Sequence, residues 1–229
     1  MQYFIFLLLV CFIIFLFTLF VLCRDDFVLF KKNVDMEKVF NVAFLVGLVG
    51  LFFSRVVYVI LFFKPLFLHP LVFFLFPYFP GLSLPGGLLG GSLALLFFLK
   101  GKKYPEGRLF DFFILSATIA IIIGEIVMSI VLYVGTKQLA IAYIVDAVVL
   151  FLIFLFTFRV FKKHTLKEGG VGLFLMMLMS LLYIGTAFLQ KFSDVSLLYK
   201  EIGTWSVLFL LSFILFLRQE SFFSFFAKK

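Results

Sequence analysis

From Tyr3 to Leu22 the chain runs without one charged side chain, and six further stretches are almost as apolar. A helix of about 20 apolar residues crosses the hydrocarbon core of a bilayer, and lipid offers the backbone no hydrogen bonds, so such stretches must fold as helices or a closed barrel. Seven spans are the economical division, at about 3–22, 39–63, 85–99, 109–134, 139–158, 171–190 and 201–217. The residues are 65% hydrophobic and only 14% charged, a balance no water-soluble domain of 229 residues carries. The expectation is an all-α membrane protein, one seven-transmembrane-helix bundle filling a single integral-membrane domain over residues 1–229.

The net charge of +8 does not point to nucleic acid, because the cations lie between apolar spans. Fifteen of the twenty Lys and Arg fall in alternate connections and the C-terminal tail, the intervening loops hold Lys64, Lys137, Lys191 and Lys200, and Arg55 lies inside a span. The positive-inside rule then puts the N-terminus outside and the C-terminus in the cytoplasm. Cys11 and Cys23 both belong to the first span, so neither a disulfide framework nor a metal site is expected, and no cofactor. The first span lacks a basic leading region and a small-residue cleavage site and reads as an anchor.

Pro65, Pro70, Pro77 and Pro80 sit among Phe, Leu and Tyr, which rules out a regular helix there. This aromatic and proline-rich segment reads as re-entrant or interfacial, on the outer side, and leads into Gly81-Leu-Ser-Leu-Pro-Gly-Gly-Leu-Leu-Gly90-Gly91. Two readings of that cluster are open. Pro85 suits a helix start, whose free amides at Gly86 and Gly87 favour a lipid phosphate. The same glycines also make a small-residue face for close helix packing.

Arg55 and Glu125 lie well inside spans, where a charge costs about 2.5–3.5 kcal/mol on insertion scales. If their spans are neighbours they can pair with each other; otherwise each is a functional candidate. Tyr58 shares the Arg55 face, with Gly47, Gly50 and Ser54 close to it. On the fourth span Asp111, Thr118, Glu125 and Ser129 recur on one face, a stripe that serves either interhelical hydrogen bonds or the wall of a polar pocket. Tyr143, Asp146, Ser180 and Tyr183 add to that interior, and His69, in the outer segment, is a further candidate base.

The segment Gly81 to Gly90 resembles the Gly-Met-Ser-Phe-His-Gly-Gly-Leu-Ile-Gly-like segment of bacterial prolipoprotein diacylglyceryl transferases, and Ser54-Arg55-Val-Val-Tyr58-Val is similar to their Gly-Arg-Ile-Gly-Tyr-Val. Asp111 matches an aspartate at the head of the next span, Gly124 falls on the glycine of a Gly-Arg-x-Gly-Asn signature, and Gly172-Leu-Phe-Leu opens the sixth span as in the family. Pro85 stands where the family has histidine, Glu125 where it has the signature arginine, and Leu182 and Thr186 where it has an arginine and a glutamate. The resemblance implies a multi-pass inner-membrane enzyme that moves diacylglyceryl from phosphatidylglycerol to the lipobox cysteine of a prolipoprotein. On that reading Arg55, Tyr58, Gly86 and Gly87 hold the phosphate of phosphatidylglycerol or another anionic lipid, Glu125 is the catalytic base, and prolipoprotein signal segments are partners. The alternative is a non-catalytic relative that binds lipid or a membrane protein.

Overall fold

The computed structural model describes residues 2–62, 67, 73, 81–102, 104–133, 135, 137–189 and 195–220; the histidine and four prolines of the outer segment lie outside the described residues. Among the described residues the chain is helical and has no strand. Eight helices follow in order: α1 (Gln2–Arg24), α2 (Phe27–Lys31), α3 (Met36–Leu61), α4 (Leu84–Lys102), α5 (Glu106–Leu132), α6 (Lys137–Lys162), α7 (Gly170–Leu189) and α8 (Val195–Gln219). All but the short α2 are long and apolar enough to cross a membrane.

α5 and α7 are the most enclosed helices and α1 the least. From Leu109 to Ser116 every α5 side chain is buried, so this helix is surrounded on all sides at its start. α1, α6 and α7 pack on it, α8 packs on α7, and α3 and α4 form an antiparallel hairpin. Large side chains such as Phe6, Phe17, Phe97 and Phe188 point outward, as apolar groups do where the solvent is lipid.

The α3–α4 hairpin is drawn together by its small residues. A methyl added at Gly86 would come within 2.7 Å of Val57 Cβ and 3.2 Å of the Phe53 carbonyl, and one at Gly90 would overlap the Phe53 Cβ and ring. Gly50 and Gly87 face each other so closely that a methyl on the first would sit 3.4 Å from the carbonyl of the second. Gly47 instead faces Phe12 of α1, so the small-residue edge of α3 serves two neighbours.

Two carboxylates organise the end of the bundle that gathers the basic connections. Asp26 caps α2 by accepting from the amides of Val28 and Leu29 at 3.0 and 3.1 Å. Its other oxygen accepts from Arg108 Nε at 3.0 Å and Nη2 at 2.8 Å, tying the α1–α2 connection to the start of α5. Asp111 reaches across to the start of α7, where its oxygens accept from the amides of Gly169 at 2.8 Å and Gly172 at 2.6 Å. It caps a helix other than its own. Gly169 has a φ of +89°, a conformation that favours glycine, and it lies against Gly107 of α5.

Candidate functional site

At the far end of the bundle, where α3 finishes and α4 begins, Arg55 is only 2% exposed. Its Nη1 donates to the carbonyl of Gly81 at 2.8 Å and its Nε to that of Phe73 at 3.1 Å. The guanidinium carbon lies 5.7 Å from the ring centre of Tyr58 and 5.1 Å from that of Phe67, a cation held against aromatic faces. Tyr58 also fills the space that a side chain at position 81 would need, which explains glycine there.

Ser54 and Ser83 lock the neighbouring turn. Ser54 Oγ donates to the Ser83 carbonyl at 2.8 Å, and the Ser83 amide returns a bond to the Ser54 carbonyl at 3.1 Å. Ser83 is the N-cap of α4: its Oγ accepts from the Gly86 amide at 3.3 Å, and its carbonyl accepts from the Gly87 amide at 2.9 Å. The helix thus opens at Leu84 with Pro85 second, in the first turn where its missing N–H is not required. These bonds bear on the Gly86 and Gly87 amides, which the sequence offers to a lipid phosphate. Both amides are satisfied inside the protein, and the two glycines serve close packing on α3.

The pairing of Arg55 with Glu125 does not form either. Glu125, on α5, accepts on Oε1 from the Tyr183 hydroxyl of α7, and Tyr183 in turn stacks on Trp205 of α8 with ring centres 4.4 Å apart and planes 15° from parallel. The physical reason lies in the packing order: α3 packs on α4, whereas Glu125 projects among α5, α6, α7 and α8. Glu125 Oε2 and Asp146 Oδ1 of α6 are buried and accept no hydrogen bond among the described residues.

The stripe expected on α5 is buried throughout, with Asp111, Thr118, Glu125 and Ser129 all below 10% exposed. Its members do different things. Asp111 borders a cavity of about 210 Å³ with Arg108, His164 and Glu168, at the opposite end of the bundle from Arg55. Thr118 Oγ1 donates to the Ile114 carbonyl at 2.8 Å and touches Met179 Sδ at 3.6 Å. Ser180 likewise donates back to the Met176 carbonyl at 2.8 Å. The structure therefore separates the candidates into an Arg55–Tyr58 group on the α3–α4 hairpin, a Glu125–Tyr183–Asp146 group among α5 to α8, and Asp111 at the basic end.

Ser83 and Trp205 escaped the reading of the sequence. A serine three residues ahead of a glycine-rich helical turn is a cap signal, and a solitary tryptophan inside a span has a polar tip that needs a place. Both signals were present in the chain.

Compared with models of protein families, residues 1–130 match the one described as Prolipoprotein diacylglyceryl transferase. Comparison with curated proteins finds no match. The matched stretch contains Arg55, Tyr58, the glycine cluster, Asp111, Thr118, Glu125 and Ser129, and ends before Asp146, Tyr183 and Trp205. With more than half of the chain matched and seven helices able to cross a bilayer, this multi-pass integral membrane protein belongs to the prolipoprotein diacylglyceryl transferase family.

Proposed function

We propose that the protein transfers diacylglyceryl from phosphatidylglycerol, or a closely related anionic phospholipid, to the thiol of a lipobox cysteine. The chain sits in the bacterial inner membrane with its N-terminus outside and the basic end of the bundle in the cytoplasm, following the bias of Lys and Arg. The far end, with Arg55 and the start of α4, then faces the outer leaflet. The observation that carries the reading is the buried Arg55 guanidinium beside Tyr58, inside the stretch matched to the family.

In the reaction the thiol sulfur forms a bond to the terminal glyceryl carbon of the diacylglyceryl group. The bond from that carbon to the phosphate oxygen breaks, and glycerol phosphate leaves with the electron pair. Arg55 attracts the phosphate and stabilises the charge that grows on it, because a cation in a water-poor site interacts strongly with a developing anion. Glu125 accepts the thiol proton, oriented by the Tyr183 hydroxyl on its Oε1. No metal or other cofactor enters this scheme.

A second reading is favoured by one observation: Arg55 and Glu125 belong to separate hydrogen-bonded groups, and the Gly86 and Gly87 amides are already taken. On that reading the protein binds phosphatidylglycerol or a membrane-protein partner without transfer. Both are tested by incubating purified protein in phosphatidylglycerol liposomes with a lipobox peptide and weighing the peptide by mass spectrometry. A diacylglyceryl thioether lost in Glu125→Gln and Arg55→Ala, with circular dichroism unchanged, supports the transferase. Absent product alongside retained phosphatidylglycerol binding supports the second reading.

A further inference from the structure

Glu125 and Asp146 are two acids in the middle of a membrane bundle, 7% and 3% exposed. Each keeps one buried oxygen, Oε2 and Oδ1, that accepts no hydrogen bond among the described residues. Glu125 lies seven residues before the Leu132 end of α5, or about 10 Å along the axis, and Asp146 nine residues after the Lys137 start of α6, about 14 Å. Those two helix ends belong to one connection, so the acids sit at similar depth on neighbouring helices. They interact electrostatically with each other, and Asp146 and Tyr143 do so with Tyr183.

Two buried carboxylates with orphaned oxygens are costly to keep, since that one oxygen of each lacks solvent and, among the described residues, a partner, and the two acids repel each other. The ion pairs Arg24–Asp25, Lys38–Asp35 and Arg108–Asp26 all lie at the basic end, so none of these three cations relieves the acids. No group of three or more ligating side chains able to hold a metal ion occurs among the described residues. The stacked Tyr183–Trp205 pair reaches Glu125 through the Tyr183 hydroxyl and makes the surroundings of that acid aromatic.

From this juxtaposition we infer that Glu125, Asp146 and Tyr183 form a binding site for a primary ammonium group. One N–H of the ammonium reaches Glu125 Oε2, another reaches Asp146 Oδ1, and the rings of Tyr183 and Trp205 border it. The ammonium comes either from a phospholipid headgroup or from a soluble amine. The site shares Glu125 and Tyr183 with the transfer reaction proposed above but adds Asp146, which that reaction does not use, and it is read by a different signal.

Trp205 is the sole tryptophan of the chain and stacks on Tyr183, so its emission reports on this cluster alone. The experiment titrates methylammonium chloride into the full-length protein in phosphatidylglycerol nanodiscs, with sodium chloride as the ionic control, and compares nanodiscs containing phosphatidylethanolamine. A saturable change in Trp205 emission with methylammonium is expected, weaker by about tenfold or more in Asp146→Asn and Glu125→Gln, the size of a lost hydrogen bond to a charged group. Asp146→Glu, which keeps the carboxylate, restores it. The same change in phosphatidylethanolamine nanodiscs without methylammonium assigns the amine to a lipid headgroup; a response to methylammonium alone assigns it to a soluble amine. The inference is overturned if wild-type emission does not saturate with either probe, if sodium chloride gives an equal response, or if folded Asp146→Asn responds like wild type. Loss of thioether formation with this response intact would count against the transfer reaction only.

Discussion

Gly90→Ala tests how the α3–α4 hairpin is built. The new methyl would overlap Phe53 Cβ and the first atoms of its ring. Phe53 is 40% exposed, so its ring can swing toward lipid, but Cβ is fixed to the α3 backbone and only separation of the helices relieves it. Overpacking of this kind costs about 1–3 kcal/mol. Replacing glycine inside a helix returns about 1 kcal/mol, leaving a net loss of up to about 2 kcal/mol. Gly91→Ala is the comparison: its nearest neighbour, Val46 Cγ1, is 3.7 Å away, an ordinary contact, so only the helical gain applies. Unfolding both variants in mixed micelles, followed by Trp205 emission, should therefore place Gly90→Ala below wild type and Gly91→Ala at or slightly above it. Equal stability of the two variants would refute the claim that the glycines hold these helices at contact distance.

Asp111→Ala removes both acceptors from the start of α7 and leaves the Gly169 and Gly172 amides unpaired; a loss of about 2–3 kcal/mol is expected in the same unfolding measurement, with faster hydrogen exchange at those two amides. Ser83→Ala deletes the α4 cap and should cost about 1 kcal/mol, read as increased exchange at Gly86. Arg108→Ala strands the Asp26 carboxylate, 6% exposed, and should destabilise by about 3–5 kcal/mol, whereas the exposed Lys38–Asp35 pair should show little coupling in a double-mutant cycle. Tyr183→Phe takes the donor from Glu125 Oε1 and should lower the rate of thioether formation while leaving circular dichroism unchanged.

The seven apolar stretches were legible because lipid permits so few ways of satisfying a backbone, and the buried stripe on α5 followed from helical spacing. What the stripe does was not legible. Asp111, Thr118 and Glu125 fall on one line of one helix, yet one caps α7, one bonds its own backbone and one meets Tyr183, because each depth of the bundle has a different neighbour. Arg55 and Glu125 looked like natural partners by charge alone, and only the packing of α3 on α4 shows why they do not meet. The glycine cluster permitted two readings in the sequence, and the positions of Phe53 and Val57 decide for packing at Gly86 and Gly90.

The most direct measurement of the proposed reaction is its stoichiometry, following glycerol phosphate release and thioether formation together with radiolabelled phosphatidylglycerol and a lipobox peptide. The bond changes proposed require one glycerol phosphate for each thioether, and neither product when the peptide cysteine is replaced by serine. Glycerol phosphate released without thioether, or folded protein that binds phosphatidylglycerol and forms neither product, would contradict the assignment of transferase activity.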